Sequence, residues 1–163
     1  MKKNQYIDFL NFIFTKLEEI GIDVSNFELD HLAYQASSDQ DYDLRKEDFL
    51  QFAKLVSEEM VGGRRVGIYE MFEPVIYHDR SISVIELIAP KINQVCPSAL
   101  EHVEFIVQDS FADFMVKYPN LNWDTSAVDQ VDFPMLKLKL NDTVQVKFHY
   151  THILEILKKK YEA

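Results

Sequence analysis

An acidic residue followed by histidine opens two alternating segments of this chain, "DHLAY" at Asp30–Tyr34 and "EHVEF" at Glu101–Phe105, and the two histidines, His31 and His102, are 71 residues apart. Each segment has the period of two that a β-strand requires. In the first half, "LDHLAYQA" leads into a stretch from about Asp43 to Met60 where Phe49, Ala53, Val56 and Met60 mark a helix stripe that Gly62-Gly63 stops. The strands "RRVGIYEMF" and "SISVIELIAP" follow, separated by Pro74 and the polar turn "HDRS". The second half begins the same order again. "LEHVEFIV" is a strand, and "DSFADFMVKYP" is a short helix capped by Asp109 and stopped by Pro119. "MLKLKL" and "TVQVKFHY" alternate around a tight turn at Asn141-Asp142. Two modules that share one apolar and one polar sheet face pack into a curved cup, with helices outside and polar side chains inside.

Tyr6, Phe9, Leu10, Ile13, Leu17 and Ile20 recur at spacings of three and four, which predicts an amphipathic N-terminal helix ended by Gly21. "THILEILKKKYEA" predicts a terminal helix with Thr151 as its cap and its lysines near the negative end. The segment "KINQVCPSA", residues 91–99, lacks periodicity and joins the halves. With 163 residues and 47% hydrophobic content, the chain can bury one substantial core. The expected organisation is a single domain, 1–163, with an N-terminal helix over 4–21, modules over 27–90 and 99–150, and a C-terminal helix over 151–161. A net charge of −10 disfavours phosphate backbones and anionic lipid surfaces, so the expected partner is a small molecule rather than nucleic acid or membrane. The N-terminal segment has acidic residues inside its apolar stretch, unlike a signal peptide, and the expectation is a soluble cytoplasmic protein. The single cysteine, Cys96, leaves no internal disulfide and no cysteine-rich zinc site, so any metal would be held by nitrogen and oxygen. Both modules lie on one chain, so a monomer can form a complete cup.

The alternation also assigns faces. Leu29, His31, Ala33 and Gln35 share one face of their strand, and His102 and Glu104 lie opposite Val103, Phe105 and Val107. Val144, Val146 and Phe148 form an apolar face, which turns Gln145, Lys147 and His149 toward the cup. Glu86 stands on an otherwise apolar strand. Buried alone it would be costly, so it requires a metal, a proton, an exit to water or an arginine, and Arg64 or Arg65 in "GGRRVG" is at hand. Asp30 and Glu101 offer the adjacent histidines a purely local partner. Elsewhere, Cys96 reads as an incidental thiol, His78-Asp79-Arg80 as a solvated turn and His152 as a surface residue. Tyr34, Tyr69 or Phe72 could line a pocket, and Gly62-Gly63 lacks the spacing of a phosphate loop.

The ordered array "DHLAYQ", "GGRRVGIYEMFEPV", "SISVIELIAP", "LEHVEFIV" and "VQVKFHYTHILEI" resembles the YecM family of the vicinal oxygen chelate superfamily, which includes glyoxalase I and the extradiol dioxygenases, over roughly residues 5 to 160. The resemblance implies an α+β fold of paired glyoxalase-like βαβββ modules in a curved mixed sheet. The superfamily's metal enzymes take ligands from the first and last strands of each module, which implies His31, Glu86 and His102 here. The fourth position departs from the glutamate common in those enzymes. Aligning "ISVIEL" with "VQVKFH" sets Phe148 opposite Glu86, the face reading favours His149, and Glu104 is a further candidate as ligand or catalytic base. Two histidines and a carboxylate with open positions suit Fe, Mn, Ni or Zn, and no organic cofactor is expected. Such a centre chelates adjacent substrate oxygens and stabilises an enediolate or delivers dioxygen.

The resemblance supplies a fold and a site rather than a substrate. It implies a metal-dependent lyase, isomerase or dioxygenase acting on a small oxygen-rich metabolite, with Arg64, Gln35, Lys147 and Tyr69 against the substrate. Two alternatives stay open: a metal-free binding or sequestration module with a polar cup, which the missing fourth glutamate favours, and an interaction protein with a vestigial cup.

Overall fold

A computed structural model describes residues 3–162. Its elements are α1 (Lys3–Glu19), β1 (Glu28–Gln35), α2 (Asp39–Phe49), β2 (Ala53–Val61), β3 (Arg64–Tyr77), β4 (Arg80–Ile88), β5 (Ala99–Ile106), α3 (Phe111–Lys117), β6 (Asp124–Ala127), β7 (Met135–Lys139), β8 (Gln145–His149) and α4 (Ile153–Glu162). The strands form one eight-stranded sheet in the order β2-β3-β4-β1-β5-β8-β7-β6. Within each half the first and last strands pair in parallel, β1 with β4 and β5 with β8, and β1 and β5 meet antiparallel at the centre. This is the paired βαβββ arrangement, with its halves related by a local two-fold between the histidine-bearing strands.

The expected helix from Asp43 to Met60 is corrected. Helix α2 ends at Phe49, and Ala53–Val61 is strand β2, paired antiparallel to β3. The backbone partners along β3 outweigh the weak helical spacing of Ala53, Val56 and Met60. Gly62 and Gly63, with φ of +57° and +80°, are not a helix stop but the two central residues of a hairpin turn between Val61 and Arg64, where positive φ at both positions matches the strand twist. Two caps also differ from the sequence reading. Ser110 rather than Asp109 caps α3, its Oγ accepting from Asp113 N at 3.1 Å. The first N–H of α4, on Ile153, donates to Asp30 instead of being capped by Thr151.

Helices α1, α2 and α3 cover one face of the sheet. Tyr6, Leu10, Ile13 and Leu17 of α1, Tyr42 and Phe49 of α2, and Phe111 and Phe114 of α3 share one buried cluster with Leu32, Ile85, Val103, Phe105 and Phe148. The module helices lie outside the cup as expected, whereas the C-terminal helix α4 packs on the opposite, inner face. Ile153 and Leu157 join Ala33, Val66, Ile68, Val84 and Ile88 in a second cluster, with Leu154 and Phe133 packed against it. Strands β3 and β4 are apolar on both faces, and a sheet buried on both sides needs cover on both. Among the described residues no helix is long and apolar enough to cross a membrane.

Candidate metal centre

The pairing of β1 with β5 breaks register twice, between Leu29 and His31 and between Ala33 and Tyr34 opposite His102 and Leu100. The extra residue is Asp30 at the first break and Glu101 at the second. Adjacent strand residues ordinarily point to opposite faces, and a bulge brings both to one. Each acid therefore lies beside its histidine on the inner face. Asp30 Oδ2 is 2.9 Å from His31 Nδ1, and Glu101 Oε2 contacts His102 Nδ1. A carboxylate can only accept, so each Nδ1 donates and each Nε2 is aimed inward. The first bulge also turns Leu29 into the helix-side core, away from the face the plain alternation gave it.

The two Nε2 atoms meet Glu86 and Glu104. His102 Nε2 lies 3.1 Å from Glu104 Oε1 and 3.3 Å from Glu86 Oε2, and His31 Nε2 lies 3.5 Å from Glu104 Oε1. One ligand atom from each of these four side chains lies within 4.8 Å of all the others. Register explains the convergence: Ala33 stands between Glu86 on β4 and His102 on β5, and its methyl group leaves the space the longer side chains fill. His31 Nε2, Glu86 Oε2 and Glu104 Oε2 are buried without a hydrogen-bond partner. Buried polar atoms left unpaired are costly, and these three belong to side chains of one group whose donor set matches that of a divalent cation.

The two-fold gives a different equivalence for the fourth position than linear alignment does. Two residues beyond each histidine stand Ala33 and Glu104, whose last-strand partners are Glu86 and Lys147. Lys147 is thus the counterpart of Glu86, and its Nζ lies 3.3 Å from Glu104 Oε1. His149 sits one step further along, opposite Ile106. Its Nε2 is 3.0 Å from Asp30 Oδ2 at an angle too oblique for a hydrogen bond, and its ring packs on Phe133 with centroids 4.8 Å apart. His149 falls in a second group with Asp30 and His31, and Glu104 takes the fourth place in the first. His152 is no free surface residue: its Nε2 lies 3.1 Å from Asp30 Oδ1.

Glu86, Glu101 and Glu104 feel the charge of one buried ammonium, that of Lys147, while Asp30 is surrounded by histidines. Burial pushes the Glu104 carboxyl up, but the neighbouring His31 and Lys147 charges hold it well below the usual range. Burial likewise opposes ionisation of Glu101, which His102 nevertheless brings down to about 2. Burial and Lys147 disfavour a charged His102, but Glu101 and Glu104 raise it to about 9. His31, opposed by burial, is raised well above its ordinary value by Glu104 and Asp30. Protons on the two imidazoles thus stand where a divalent cation would supply the same charge.

The remaining predicted residues divide. Gln35 is buried, donates from Nε2 to Ala36 O at 2.9 Å and to Ile88 O at 3.1 Å, and accepts from Arg64 Nη1 at 3.3 Å. Arg64 is therefore engaged with Gln35 rather than Glu86, and Arg65 pairs with Asp43 and Asp39 at 2.7 and 3.3 Å, so neither arginine neutralises the cluster. Tyr69 lies against Phe49 in the helix-side core and cannot line the cup, because its neighbour Ile68 is the residue paired with Glu86. Tyr34 faces the same core, and Phe72 is exposed. Cys96, Gln35, Glu101 and Gln145 border a cleft of about 220 Å³ between the 91–99 connection and the β7–β8 turn. The sequence offers Asp30 and Glu101 only as local partners of the histidines rather than as parts of the site, and it does not point to Phe133 as cover over His149. The repeated acid-histidine pair is the signal for the first two, and no pattern marks the third.

Paired βαβββ modules with histidines and carboxylates inside the cup define a glyoxalase-like fold. Residues 2–160 match the model of the YecM protein family, and the chain belongs to that family. Protein YecM of Escherichia coli is 22% identical over 159 residues, covering 88% of this chain and 84% of that protein. An uncharacterized protein of Haemophilus influenzae is 30% identical over 90 residues, 55% of this chain, and that match spans about half (47%) of the relative's own length. Among solved structures, "Structural Genomics, Protein EC4020" superposes with a TM-score of 0.78 at 22% identity, covering 98% of this chain and 94% of the other. Streptomyces coelicolor methylmalonyl-CoA epimerase, in complex with 2-nitronate-propionyl-CoA, superposes with a TM-score of 0.53 at 12% identity, covering 76% and 96%.

Proposed function

We propose that this protein is a divalent-metal-dependent enzyme of lyase, isomerase or dioxygenase type that acts on a small oxygen-rich metabolite. Its metal would be held by His31, Glu86, His102 and Glu104. The observation that carries this reading is the convergence of four side chains from strands of both modules, three of which carry a buried atom without a partner. Two imidazole nitrogens and two carboxylates suit Fe, Mn, Ni or Zn. Bound there, the ion supplies Lewis-acid polarisation of substrate oxygen. Asp30 and Glu101 fix the tautomer and orientation of the histidines and raise their basicity. Lys147 keeps Glu104 anionic, which suits a ligand better than the proton acceptor the sequence reading considered. Both modules on one chain contribute ligands, so a monomer suffices, and we read its setting as the cytoplasm.

One observation favours the metal-free binding cup: Lys147 with two protonated histidines offsets three of the four carboxylate charges without an ion. Elemental analysis of wild type and the His31→Ala plus His102→Ala double variant, purified without an affinity tag, separates the two. The metal reading expects about one equivalent in wild type, with about 2.7 kcal/mol of added stability at a hundredfold excess over Kd, and neither in a folded double variant. Metal retained by the double variant would overturn the ligand assignment, and no uptake by wild type would favour the binding cup.

A further inference from the structure

The ligating side chains lie on the inner face, and α4 lies across that face. Ile153 and Leu157 pack on Ala33, Val66, Ile68, Val84 and Ile88, and these residues are interleaved with the ligands. Ala33 stands between Glu86 and His102, Val84 is paired with His31, and Ile68 is paired with Glu86. Phe133 covers the His149 side. His31, His102, Glu104 and His149 are consequently no more than 2% exposed. A ligand approaching them from this face needs the space α4 occupies.

The seat of α4 is shallow. Its buried residues are Ile153 and Leu157, and a ten-residue helix has little stability of its own. At its outer end the Tyr161 hydroxyl meets Ser57 Oγ at 2.8 Å and donates to Glu59 Oε1 at 2.9 Å, while Lys160 Nζ reaches Glu59 Oε2 at 2.5 Å. At its inner end Asp30 accepts from Ile153 N at 3.1 Å and sits 3.1 Å from His152 Nε2. The same carboxylate holds His31 Nδ1.

We propose that α4 is a displaceable cover over the His31–Glu86–His102–Glu104 cluster, and that Asp30 is the positioning residue that ties the seat of the helix to His31. When α4 lifts, Asp30 loses the Ile153 and His152 donors and its hold on His31 changes, so helix position and metal affinity are coupled reciprocally. The cover stands on packing alone, and only the coupling rests on the metal reading.

The test is residue-resolved modification of histidines by diethyl pyrocarbonate, followed by mass spectrometry on the full chain. Wild type is compared with Tyr161→Ala, which removes two of the three outer contacts, and with Glu59→Ala, which removes two of the three from the sheet side. His78, exposed in the β3–β4 turn, is the internal control. Losing the outer contacts should speed modification of His31, His102 and His149 by at least about tenfold while His78 is unchanged. Equal rates in all three proteins would overturn the cover. Extraction of bound Zn(II) by EDTA should accelerate by a similar factor in Tyr161→Ala, and an unchanged rate would overturn the role given to Asp30. Absence of Zn(II) binding in wild type would count against the metal reading alone, because the modification rates need no metal.

Discussion

Asp30 and Glu101 show how much one extra residue in a strand can decide. Each is the bulged position that sets a carboxylate behind its histidine, and each fixes which nitrogen faces the cluster. The pH behaviour of the metal-free protein follows. His102 is raised from 6.5 to about 9, so its stabilising contribution is complete below pH 6.5 and is lost as pH rises through about 9. Glu101 is lowered from 4.5 to about 2, so its contribution is complete above pH 4.5 and is lost as pH falls through about 2. Urea unfolding in the presence of a chelator should therefore show greatest stability between about pH 4.5 and 6.5. Glu101→Gln should flatten the decline between about 6.5 and 9, because the carboxylate that raises His102 is gone. Stability rising across that alkaline interval would contradict the assigned contacts. At this scale the repeated acid-histidine pair was legible, as was the inward face of Gln145, Lys147 and His149. The bulges were not, since a register shift depends on the partner strand, and Leu29 was misplaced for that reason.

Among the elements, β2 and α4 carry the corrections. Phe49, Ala53, Val56 and Met60 fit a helical spacing, yet the Gly62-Gly63 turn folds Ala53–Val61 back onto β3 as a hairpin. A local pattern cannot reveal the backbone partners a neighbouring strand offers. The apolar stripe of α4 was legible, but which sheet face it would choose was not. That choice follows from β3 and β4 being apolar on both sides, where Val66, Ile68 and Val84 need cover from the inner face. The contact between β3 and α2 yields a prediction of its own. A Cβ at Gly67 would stand 2.8 Å from Tyr42 Oη and 2.8 Å from Tyr69 Cε2, both belonging to fully buried side chains. Gly67→Ala should therefore destabilise the fold by about 1–3 kcal/mol through overpacking. A denaturant midpoint equal to that of wild type would show that the α2–β3 contact is looser than described.

At the level of the whole molecule, the duplication legible in two short motifs accounts for the architecture. Two βαβββ modules joined through β1 and β5 bring first-strand histidines from both halves to one point. The cluster is asymmetric across that two-fold. Glu86 in the first module faces Lys147 in the second, and Glu104 supplies the carboxylate that Lys147 does not. Linear matching of the last strands could not find this, because equivalence is defined by which residues pair with the strand beside them. The inner face thus holds a buried carboxylate-rich cluster, its charge partly offset by protons and one lysine, with a helix drawn across it. The measurement that tests the central claim most directly is anomalous diffraction from crystals grown with Mn(II) or Zn(II). One peak within coordination distance of His31 Nε2, His102 Nε2, Glu86 and Glu104 is the predicted result. An empty cluster at saturating metal, or a peak bound only by Asp30 and His149, would contradict it.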